Sequence, residues 1–101
     1  MSKNKVTMLA IGKLKPDTEK PLQKYVSIAV PLLEAVGGKP LFAFKYEKSI
    51  IGDNPPSTVF GMEFPNEKVI KNVFASPEYQ AAKIYRDEAF SEINIIIGKA
   101  F

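Results

Sequence analysis

The sequence predicts a single α+β domain of β-α-β-β-α-β order, and three observations lead to it. Four short apolar runs carry strand patterns, at residues 5–14, 40–47, 57–64 and 93–98. Stretches of helical spacing fill the gaps between the first and second runs and between the third and fourth. The strands are also apolar on both faces, which is more surface than the helices of one chain can cover. At 101 residues the chain is long enough to bury roughly two thirds of its unfolded surface without staples, so residues 1–101 are read as one domain.

In the first run Val6, Met8 and Ala10 alternate with Thr7, Leu9 and Ile11, a strand that wants to be dry on both sides. Asp17 or Thr18 can cap the helix that follows, where Leu22, Tyr25, Val26, Ala29, Val30 and Leu33 recur on one face. Pro31 removes one hydrogen bond inside it, so a kink near Ser27 is expected, and Gly37-Gly38 ends it with a left-handed cap. The second strand sets Phe42, Phe44 and Tyr46 against Leu41 and Ala43. It runs into the turn-rich Gly52-Asp53-Asn54-Pro55-Pro56 loop of a long hairpin. The third sets Phe60, Met62 and Phe64 against Val59, Gly61 and Glu63, and Pro65 closes it. A short helix over 67–74 breaks at Ser76-Pro77, which restarts a second helix running to about Phe90, before the last strand, Ile93 to Gly98.

This order is the split βαβ, or ferredoxin-like, arrangement: a four-stranded antiparallel sheet with helices on one face. The other face of such a sheet normally meets water and is polar. Here apolar side chains from at least three strands remain on it, and an exposed apolar patch of that size marks an interface. A homodimer is expected.

Composition removes several functions. The chain has no cysteine, hence no disulfide framework, thiol nucleophile or thiolate metal site, and it suits a reducing compartment; the cytoplasm is expected. It has no histidine either, which removes the commonest metal ligand, the usual general base and the usual haem ligand, so neither a metal nor another cofactor is expected. The apolar run near the amino terminus is too short and too interrupted by Lys13 and Lys15 for a signal peptide or a membrane span. The formal charge of +3 comes from lysines scattered among acids, so no nucleic-acid partner is expected.

At about 100° per residue, the helix after Pro77 gathers Tyr79, Ala82, Tyr85, Ala89 and Phe90 in one sector that also holds Arg86, the only arginine. A guanidinium near an apolar face needs a carboxylate, a carbonyl or a ligand anion, and Glu63, Glu34 and Asp87 are candidate protein partners. Arg86 then has two readings. It ties helix to sheet, or protomer to protomer, in an ion pair. Alternatively it anchors a carboxylate or enolate of a small ligand whose apolar part lies among Tyr25, Tyr79 and Phe90. Glu63, the lone acid on an apolar strand, is a candidate proton acceptor, or pairs with a lysine. The three tyrosines Tyr25, Tyr79 and Tyr85 read first as amphipathic core or rim residues.

Three stretches together carry a resemblance: YVSIAVPLLEAVGG (25–38), VFGMEFP (59–65) and SPEYQAAKIYRDEA (76–89). They resemble the uncharacterised family called domain of unknown function thirteen-thirty, in the dimeric α+β barrel superfamily, over nearly the whole chain. The resemblance implies a ferredoxin-like protomer whose sheet faces that of a second copy, with helices outside. It implies little about activity, because the superfamily holds cofactor-independent monooxygenases, haem-dependent enzymes and stress-responsive proteins alike. Three functional readings follow. The first is a homodimer binding a small, partly apolar ligand, with an anionic group as one option, in a cleft between sheet and helices. The second is a cofactor-independent enzyme of monooxygenase, isomerase or cyclase type, and the third a structural or regulatory interaction module.

Overall fold

The strands pair as β1 (Val6–Leu14), β2 (Lys39–Lys45), β3 (Thr58–Phe64) and β4 (Phe90–Gly98) in one antiparallel sheet of order β2-β3-β1-β4. Helices α1 (Glu19–Ala35), α2 (Glu67–Ala75) and α3 (Pro77–Ala89) lie between them in sequence. This is the ferredoxin-like α+β arrangement that the element order predicts. The computed structural model describes residues 5–99; residues 1–4 and 100–101, which the single-domain reading includes, lie outside the described residues. Among the described residues no helix is long and apolar enough to cross a membrane.

Register decides what each face carries. Val6 pairs with Phe64, Met8 with Met62 and Ala10 with Phe60, while Met8 and Ala10 also face Ile97 and Ile95 of β4. Alternation puts all of these on one face, and the helices cover it. Val6, Met8, Met62 and Phe64 are buried there with Leu33 of α1 and with Ile70 and Val73 of α2. Each such side chain contributes about 1.5–3 kcal/mol. A second cluster forms where α1 meets α3, from Tyr25 and Ala29 on one helix and Tyr79 and Ala82 on the other. Ala29 and Ala82 are small enough to let the two helices approach there.

The helix ends show where local rules held. Gly37 adopts φ +96°, Gly37 N–H donates to Glu34 O and Gly38 N–H to Leu33 O, which is the Schellman form of the predicted glycine stop. Thr18 does occupy the first cap position, but neither it nor Asp17 caps α1 with its side chain. The Thr18 hydroxyl turns back to donate to Lys15 O at 2.9 Å, and Asp17 itself sits at φ 55° in the preceding turn. Helix α1 continues through Pro31 as one element. Asn66 caps α2 by accepting from Val69 N–H at 3.1 Å.

Strand β4 begins at Phe90, three residues before the predicted start at Ile93. Ser91 is the extra residue of a bulge: Glu92 pairs with Lys13 and Phe90 with Leu14. A second bulge at Leu41 breaks the β2 register between Pro40 and Phe42, which brings Phe42 opposite Gly61 and Phe44 opposite Val59. Leu9, Ile11, Phe42, Phe44, Val59 and Ile96 thereby share the face that no helix covers. Phe42 and Phe44 stack at 5.5 Å between centroids, and Phe44 keeps 65% of its surface exposed. Polar pairs flank this patch at both ends, Lys5 with Glu63 at 3.5 Å and Lys13 with Glu92 at 3.8 Å. The hairpin loop is held down by Tyr46 N–H to Ser57 O and Ser57 N–H to Gly12 O, both 2.7 Å, and carries Ile50 and Ile51 almost fully exposed.

Phe64 packs against both sheet and helices at 1% exposure, so Phe64→Ala should lower stability by about 3–5 kcal/mol in urea unfolding. A loss below about 1 kcal/mol would mean that this part of the core closes around the cavity without strain.

Candidate functional site

Four of the five sequence candidates meet where α1, α3 and the start of β4 converge. The beginning of α3 is set by Ser76, whose hydroxyl accepts from Tyr79 N–H at 3.2 Å and donates to Val73 O at 2.6 Å, with Pro77 in the first turn. Tyr79 and Arg86 follow two turns apart on one face. Long helical side chains lean toward the amino terminus, so the guanidinium reaches back to Tyr79. Phe90 leaves the helix with its ring over Gly12 of β1. A Cβ at position 12 would lie 2.5 Å from that ring, so only glycine admits it.

These side chains form a chain of hydrogen bonds. Arg86 Nη1 donates to the Tyr79 hydroxyl oxygen at 3.1 Å, and the Tyr79 and Tyr25 hydroxyl oxygens stand 2.9 Å apart. Arg86 Nε also donates to Asp87 Oδ1 at 3.3 Å, so Asp87 is the carboxylate partner among the three acids considered. Tyr25 meets Tyr79 and Phe90 edge to face, with centroids 6.1 and 6.2 Å away, and Phe74 of α2 meets Tyr79 in the same way at 4.6 Å. Burial, then the hydrogen bond to Tyr79, pushes the Tyr25 phenol above the ordinary tyrosine range, so it stays neutral. Desolvation works against the Arg86 charge, but the bonds to Tyr79 and Asp87 outweigh it and leave its pKa raised.

Two hollows flank this chain. The inner one, about 340 Å³, lies between the sheet and α1 and is almost wholly apolar. It exists because the sheet offers small residues there, Ala10, Ala43 and Thr58, beneath Leu22 and Val30 of the helix. Tyr25 is on its wall. The outer one, about 760 Å³, is an open groove between α2, α3 and β4 that includes Tyr79, Arg86, Asp87 and Lys71. Phe74 and Phe90 border both.

Glu63 is not brought into this group. It pairs with Thr7 and Lys39 on the uncovered face of the sheet, beside Lys5. Alternation along β3 already places it opposite Phe60, Met62 and Phe64. The sequence reading passed over Phe74 and Gly12. A glycine inside a strand signals a close approach, here by an aromatic ring; Phe74 left no comparable sign.

A four-stranded antiparallel sheet with helices on one face and a hollow between the layers defines a ferredoxin-like α+β protein. Residues 7–100 match the family described as domain of unknown function (DUF1330), and the chain belongs to that family. Its fold is similar to that of a protein of unknown function from Rhodopseudomonas palustris, with a TM-score of 0.84 and 24% identity over 98% of this chain and 84% of that one. A dimeric protein of unknown function and ferredoxin-like fold from Bacteroides fragilis gives 0.69 and 13% over 99% and 100%. A dabb family protein with a ferredoxin-like fold from Mesorhizobium loti gives 0.69 and 14% over 98% and 99%. Among curated proteins no match was found.

The raised Tyr25 pKa has a sign that can be checked. The unfolded chain releases this proton near pH 10 and the folded chain retains it, so stability falls as pH rises above about 10. In urea unfolding compared between about pH 9 and about pH 11, Tyr25→Phe should lose less stability than the parent protein. Equal losses would show that Tyr25 ionises as freely in the folded chain as in the unfolded one.

Proposed function

We propose that this protein is a homodimer that binds a small, partly apolar molecule between its sheet and helices. The observation that carries the binding reading is the apolar cavity of about 340 Å³ with Tyr25 on its wall. Ligand sites have this character, mostly apolar with few polar groups that fix orientation, and this volume is near the small end of their range. The cleft is open to solvent beside Ala43 and Val26, so a molecule can enter it without the layers parting. Arg86 already faces Tyr79 and Asp87, so the apolar body of the ligand carries the recognition, and the charge reaches the cavity through Tyr79.

The dimer reading rests on the uncovered sheet face. Its centre is apolar and its ends carry the Lys5–Glu63 and Lys13–Glu92 pairs, the pattern of a dry interface core with a polar rim. The molecule measures 39 × 34 × 16 Å, a slab whose broad side exceeds the roughly 800 Å² per partner of a stable interface. A second copy is the occupant that the dimeric Bacteroides fragilis protein of the same fold supports.

Light scattering at micromolar concentration should give about twice the chain mass of 11.2 kDa, and Phe44→Glu combined with Ile96→Glu should return it to the single-chain value. A single-chain mass for the parent protein would refute the dimer. For the cavity, toluene should give saturation-transfer NMR signals with the parent protein and lose at least about tenfold in affinity in Ala43→Leu, which fills the space from the sheet side. No toluene binding by the parent protein would refute the binding reading.

A further inference from the structure

The hydrogen-bond chain from Arg86 ends in a proton that has no acceptor. Arg86 Nη1 donates to the Tyr79 oxygen, and the oxygens of Tyr79 and Tyr25, 2.9 Å apart, have room for one proton between them. Two phenols bring two protons, and among the described residues no oxygen accepts the second. An oxygen that accepts from a cation becomes a poorer acceptor and a stronger donor. Tyr79 therefore donates to Tyr25, and the remaining proton belongs to Tyr25, which is 8% exposed and stands on the wall of the inner cavity.

We propose that the molecule held in this cavity is neutral and presents one acceptor oxygen, of the ketone, aldehyde or ester class, which takes the Tyr25 hydroxyl proton while the apolar remainder lies against Ala10, Ala43 and Val30. The proposal rests on the cavity being the binding site. A carboxylate is the wrong partner here, because it would leave its hydration shell for a single phenol donor among apolar walls. Arg86 cannot offset that directly. It lines the outer groove, and Phe74 and Phe90 stand between the two hollows. Arg86 is a positioning residue: by occupying the Tyr79 oxygen it orients the pair so that Tyr25 points its proton at the ligand. Thr58, the other polar residue on the wall, pairs with Gly12 across the sheet.

Three probes of similar size separate the possibilities: 4-phenyl-2-butanone, n-butylbenzene and 3-phenylpropanoate, measured by titration calorimetry against the parent protein, Tyr25→Phe and Arg86→Met. Tyr25→Phe should weaken the ketone about tenfold and leave n-butylbenzene within about twofold. The ketone labelled with carbon-13 at its carbonyl should shift downfield on binding the parent protein and not on binding Tyr25→Phe. Arg86→Met, folded by circular dichroism, should show a smaller downfield shift than the parent. Equal weakening of both neutral probes, or no difference in carbonyl shift, overturns the acceptor assignment while the cavity reading stands. Tighter binding of 3-phenylpropanoate than of the ketone overturns neutrality. Binding of neither neutral probe overturns the cavity reading and this proposal with it.

Discussion

A four-stranded sheet has two faces, and this chain supplies helices for one. The strands are nonetheless apolar on both, so the covered face makes the core and the uncovered one is left with Phe42, Phe44, Leu9, Ile11, Val59 and Ile96 against solvent in a single copy. The covered face is also unequal along its length. Where Val6, Met62 and Phe64 stand, side chains reach the helices and the interior is closed. Where Ala10 and Ala43 stand, they do not, and the layers part around a hollow. Core, cavity and apolar outer face are three results of the same alternation.

Most of this was legible in the sequence because period-two alternation fixes which side chains share a face. Reading Val6, Met8 and Ala10 against Thr7, Leu9 and Ile11 was enough to find both faces of β1, and the glycine pair after α1 closed that helix as expected. Bulges were not legible. The extra residues Leu41 and Ser91 change strand register without altering composition, and for that reason β4 starts at Phe90 rather than at Ile93. Asp17 and Thr18 both suit a cap, but which way a hydroxyl turns depends on the carbonyl that lies nearest in space, here Lys15.

The candidate site divides in the same way. Helical spacing placed Tyr79, Arg86 and Phe90 on one sector, and Tyr25 on the inward stripe of α1, so these four were found as a group. Their hydrogen bonds were beyond a one-dimensional reading, because the 2.9 Å approach of two tyrosines separated by 54 positions depends on how closely α1 and α3 pack over Ala29 and Ala82. Glu63 was drawn into the group as an acid on an apolar strand, although its alternation already set it on the other side. Charge stood out more than phase did.

Ser76 links two helices through one oxygen. Its hydroxyl donates to Val73 O at the end of α2 and accepts from Tyr79 N–H at the start of α3. The corner between the helices is thereby pinned, and α2 cannot swing away from the groove without breaking one of these bonds or turning α3 with it. A rotation of α3 carries both Tyr79 and Arg86. The Ser76 N–H also donates to Val73 O, and Gln80 Nε2 to Phe74 O, so the corner that sets where Tyr79 and Arg86 stand is fastened by backbone and side chains together.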